Sequence, residues 1–148
     1  MCSLSEPHGE PPARGDEVQE TILGGAPRYT KKQVAEAAGV PVQRAEQLWQ
    51  AMGFAHVTDE AVVFTDSDVA ALRSLVELVS ADVIPPELET AVARSLAQTM
   101  SRLAEWQVEI FKQLLGEEFA VDVQTTAQVA TVILPVMARL QDYVWRRH

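Results

Sequence analysis

The chain has 148 residues, 47% of them hydrophobic, with a formal net charge of −9: apolar enough for one compact domain, and too acidic to grip a duplex phosphate backbone unless its cations gather on one face. Its single cysteine, Cys2, excludes a disulfide framework within the chain and fits a reducing cytoplasm. The start MCSLSEPHGEPPARGDE lacks a basic segment followed by an apolar run, so it does not read as a signal peptide, and no apolar stretch reaches the roughly 18 residues of a membrane helix.

Residues 1–27 read as a flexible acidic tail. Pro7, Pro11 and Pro12 break helices, and Glu6, Glu10, Asp16, Glu17 and Glu20 face only Arg14 in charge. Residues 17–23 carry at most a weak helical turn, stopped by Gly24 and Gly25. Thr30 is then an N-cap for a helix over residues 31–38, and Gly39 suits its end. Pro41 suits the first turn of a second helix, over 41–52, stopped by Gly53. The apolar runs 54–57 and 61–64, around Thr58, Asp59 and Glu60, predict a small β-ribbon or extended wing. Thr65 to Asp68 forms a capping-box-like start, with Asp68 in the place of Glu or Gln, for a third helix to about Ser80.

Pro85 and Pro86 separate this module, residues 28–84, from a long-helix region over 85–148. One long helix runs from Pro86 to Gly116, with the stripe Leu88, Val92, Leu96, Met100, Leu103, Trp106 or Gln107, Ile110, Leu114 at steps of three and four. After a short link at 117–124, a last helix runs from about Thr125 to the end, with the stripe Val129, Ile133, Val136, Leu140, Val144. Pro135 should kink it. The expected fold is all-α: a small helix-turn-helix with a short wing, followed by two long antiparallel helices.

A helix-turn-helix raises the question of DNA. In the second helix Val42, Ala45, Leu48, Trp49 and Met52 should face inward, leaving Gln43, Arg44, Glu46, Gln47 and Gln50 outside. Arg44 is the only cation there and Glu46 cancels it. Arg28, Lys31 and Lys32 make a modest basic patch. Nucleic acid is therefore an unfavoured partner, and a packing unit reused as scaffold fits better. Trp49 and Phe64 read as core residues that tie the helices to the wing.

Catalytic chemistry has no visible seat. His8, His56 and His148 are scattered, Cys2 adds no usable ligand spacing, and neither a phosphate-binding glycine loop nor a GxSxG elbow is present. No catalytic residue, metal ligand or resident cofactor is expected. The apolar surface of the long helices exceeds what one small module can cover. That predicts a homodimer through Leu96, Met100, Leu103, Ile110, Val136 and Leu140.

The runs RYTKKQVAEAAGV, LWQAMGF and VFTDSDVAALRSL, then ARSLAQTMSRLAEWQVEIF and ARLQDYVWRRH, resemble the N-terminal regulatory domain of actinobacterial class III adenylate cyclases, which has a MerR-like helix-turn-helix portion. The resemblance covers about residues 28–148, and SRLAEWQ with YVWRRH is its specific part. It implies a non-catalytic, cytoplasmic domain that dimerises and restrains a cyclase catalytic domain in cis, with pH-dependent release. It also implies that the last helix, at Trp145, Arg146, Arg147 and His148, leads into that catalytic domain. The same cations complement the helix dipole. A MerR-like transcription factor is the alternative reading. A third is a sensor whose long helices enclose a fatty acid. Groups available to a pH response are His56, His148, Glu105 and Glu109, and neither histidine alone is expected to be the switch.

Overall fold

A computed structural model of the chain describes residues 14–116 and 123–148. Cys2, His8 and most of the link at 117–124 lie outside the described residues. Among the described residues there are six α-helices: α1 (Arg14–Leu23), α2 (Lys31–Ala38), α3 (Val42–Ala51), α4 (Asp66–Ser80), α5 (Glu89–Leu115) and α6 (Val123–Arg147), with a 3₁₀ turn at Pro86–Leu88 leading into α5. The chain is mainly helical, as its periodicity predicts.

Local chemistry sets the boundaries. Thr30 caps α2 reciprocally: its backbone N–H donates to Gln33 Oε1 at 2.8 Å, and the Gln33 N–H donates to Thr30 Oγ1 at 3.4 Å. Gly39 then turns the chain at φ +73°, a conformation that side chains with a Cβ rarely adopt. Pro41 stands just before α3 and needs no N–H there. At α4 the Asp68 carboxylate accepts the Thr65 N–H at 2.6 Å and its hydroxyl at 3.0 Å, so the shorter acid does the work of the usual Glu.

The core sits where α2, α3 and α4 meet. Val34, Ala35, Ala45, Leu48, Val69 and Leu72 are buried there, and Ala93 of α5 closes it from the α3 side. Trp49 and Phe64 stack with ring centroids 4.6 Å apart, both in the core as expected. Arg73 of α4 donates to the Ala37 carbonyl through Nε at 3.1 Å and Nη2 at 2.7 Å, satisfying an acceptor at the end of α2.

Three expectations change. The wing forms no β-ribbon among the described residues. Phe64 instead pairs with Tyr29 in a single antiparallel bridge, with N–H···O distances of 3.0 and 3.2 Å, so the 54–64 segment is tied back to the start of α2 rather than folded on itself. Residues 14–23, read as part of a flexible tail, form a helix lying along α6. Among the described residues the two long helices do not pack along one another as an antiparallel pair: α5 lies on α3, and α6 on α1. Periodicity shows which positions are apolar and leaves open which element covers them.

Candidate functional site

The basic patch at the start of the helix pair is taken up by the chain's own carboxylates. Lys31 is buried, and its Nζ lies 2.6 Å from Glu46 Oε1 and 2.8 Å from Asp59 Oδ1. Lys32 Nζ holds the other Asp59 oxygen at 2.9 Å. Arg28 Nη1 lies 3.0 Å from Asp66 Oδ2, while the Tyr29 hydroxyl donates to Asp66 Oδ1 at 2.7 Å. Arg44, its charge expected to be cancelled by Glu46, is met by a different acid. Arg44 turns to α5 and grips the buried Glu89 through both arms, Nε to Oε2 at 3.0 Å and Nη2 to Oε1 at 2.6 Å. A phosphate backbone would have to displace a carboxylate at each of these cations.

The same network explains the acid behaviour of Asp59. Hydrogen bonds from Lys31, then from Lys32, hold its carboxyl well below the ordinary range, at about 2. A depressed carboxyl means that the folded chain binds fewer protons than the unfolded one. The contribution is complete above the ordinary carboxylate pKa of about 3.9 and is lost as pH falls through the folded value. Acid titrations of unfolding should therefore show Asp59→Asn with a shallower loss of stability than the parent between pH 4 and 2, and no difference in slope between pH 5 and 8.

The second surface is apolar. Along α5 and the turn before it, Leu88, Val92, Leu96 and Met100 are exposed along one stripe, and Leu103 and Ile110 continue it half-buried. On α6, Thr126, Ala130, Ile133, Met137 and Gln141 form a half-covered face. About a quarter-turn away, Val132, Val136, Leu140 and Val144 form an uncovered one. Gln107 lies in the α5 stripe with its Nε2 buried and without a hydrogen-bond partner among the described residues.

The other singled-out residues lie apart from each other. His56 is exposed on the rim of a groove between α1, α3 and the 54–64 segment. His148 is exposed beyond the end of α6, 75% of Trp145 is in solvent, and Arg146 Nε pairs with Asp142 Oδ2 one turn back at 2.8 Å. Glu105 and Glu109 are exposed on α5, and Glu105 accepts a long hydrogen bond, 3.4 Å, from the Ser101 hydroxyl. Among the described residues the two long helices do not pack along one another, so the alternative of an apolar enclosure between them gains no support there. The groove of about 650 Å³ lies instead over Trp49, Phe54, Val63 and Phe64. Sequence reasoning missed the clamp at Glu89, since a glutamate that opens a helix is already explained by the helix dipole. No group of His, Cys, Asp or Glu among the described residues is arranged to hold a metal ion. No described helix is long and apolar enough to cross a membrane.

No protein-family model matches the sequence. Individual proteins do. The chain is 40% identical over 129 residues to an adenylate cyclase of Streptomyces coelicolor, a match covering 85% of this chain and 34% of that protein. It is 38% identical over 133 residues to an adenylate cyclase of Streptomyces griseus, and 29% identical over 134 residues to one of Glutamicibacter nicotianae; each match covers 88% of this chain and 33% of the relative. The chain thus spans about a third of the length of the curated relatives that it matches.

Proposed function

We propose that this chain is a non-catalytic regulatory domain that dimerises through α5 and α6 and controls a class III adenylate cyclase catalytic domain in cis. The observation that carries the reading is the match itself: most of this chain is similar to about a third of proteins named adenylate cyclase, while its own described residues offer a scaffold and apolar faces. The uncovered stripes on α5 and α6 support a second copy as the covering partner.

α6 is the output element of this proposal, passing from Trp145, Arg146, Arg147 and His148 into the catalytic domain. The Lys31–Asp59 network is excluded as the trigger of a pH response, because a carboxyl held at about 2 does not titrate between pH 5 and 8. The groups proposed for a pH response stay His56, His148, Glu105 and Glu109, and both glutamates are exposed on α5 in the single chain. Binding to DNA is the reading that the paired cations oppose.

Phase distinguishes a helical output from a passive tether. Two residues inserted after His148 in the parent cyclase would rotate whatever follows by about 200°, whereas seven would restore the phase to within about 20°. Regulation should be lost with two alanines and kept with seven helix-forming residues. Equal behaviour of the two insertions would overturn the output role of α6.

A further inference from the structure

We propose that α1 is a releasable strap on α6, so that the N-terminal helix sets how firmly the output helix is held. This rests on the reading of α6 as the output element. α1 lies along α6, and ten of its residues are described. Short helices owe most of their stability to packing rather than to propensity, so the order of α1 depends on what it packs against. Its C-terminal end is well defined: the Gly25 N–H donates back to the Glu20 carbonyl at 2.9 Å, and Gly24 turns at φ +76°. A Cβ built at Gly24 would stand 3.6 Å from Ser67 Oγ, so α1 ends beside the first turn of α4.

The two sides of α1 meet different neighbours. Gln19 and Leu23 line the groove over Trp49, Phe54 and Phe64. Helical geometry turns Val18 and Thr21 the other way, toward α6, and both are half-buried. α1 therefore touches both the groove above the Trp49–Phe64 stack and the long C-terminal helix. Its described side chains from Glu17 onward are only partly covered. Val18 is only half-buried, 59% of Ile22 is in solvent, and Thr21 satisfies its own hydroxyl on the Glu17 carbonyl at 2.9 Å. Elements held by few apolar contacts open before the core does, and their opening can be biased by small changes on either side.

Val18→Glu places a charge on the α6 side of α1 and leaves the α2–α3–α4 core untouched. Hydrogen exchange on the full chain should then show residues 126–141 exchanging at least tenfold faster than in the parent, with residues 34–49 unchanged. Val18→Leu should exchange as the parent does. Unchanged protection of residues 126–141 in Val18→Glu would overturn the strap. The same substitution in the parent cyclase should shift cyclic AMP formation at least threefold, and a loosened α6 with unaltered activity would overturn its link to output. A cyclase whose activity ignored removal of the whole region would instead overturn the regulatory reading, and would leave the exchange result standing.

Discussion

Replacing Leu48 with alanine is expected to lower folding stability by about 3 kcal/mol. Leu48 is 1% exposed, at the centre of the cluster built from α2, α3 and α4 beside the Trp49–Phe64 stack. Removing its branched end loses both the transfer free energy and the contacts around the cavity left behind, a combination that ranges over about 2–5 kcal/mol in leucine-to-alanine series. A domain of this size holds on the order of 5–15 kcal/mol in total, so the loss is a large part of the whole. Denaturant titration should show a lower midpoint with an unchanged slope. A loss below about 1 kcal/mol would mean that the core is not centred on this helix pair.

The second large effect concerns assembly. Leu96 and Leu140 are 56% and 51% exposed in the single chain, so an aspartate at either position faces water in a lone protomer. In the proposed dimer both would be covered, and an unpaired buried carboxylate costs several kcal/mol. The double variant Leu96→Asp with Leu140→Asp should weaken self-association at least about 100-fold, which is about 2.7 kcal/mol, while its circular dichroism keeps the helical signal. Sedimentation velocity across a micromolar series checks both species. A parent chain that sediments as a monomer throughout, or a double variant as tightly dimeric as the parent, would remove α5 and α6 as the interface.

Much of the fold was legible because its signals are local. Thr30, Gly39, Pro41 and Gly53 mark the helix pair through backbone chemistry confined to a few residues. Thr65 with Asp68 opens α4 as read, and the three-and-four spacing of Leu88 to Leu114 marks α5. The misreadings share one cause, contacts distant in sequence. Arg44 lies two residues from Glu46 and 45 from Glu89, yet its fork closes on Glu89. Lys31 looked like a surface cation because nothing in its neighbourhood announces that Glu46 and Asp59 will converge on it. The segment around Glu17 to Leu23 looked too polar to order itself, and it does so against α6, more than a hundred residues away. The candidate interface stripes were legible as stripes, while their exposure in the single chain came only from the three-dimensional arrangement.

The central claim is that this region governs an attached cyclase, and cyclic AMP formation measured with and without it tests that most directly. The parent protein and the same protein lacking residues 1–148 should be compared at equal catalytic-domain concentration across pH 5 to 8. The regulatory reading predicts at least a fivefold difference at one end of that range, together with a flatter pH profile in the shortened protein. Superimposable profiles from the two proteins would contradict it.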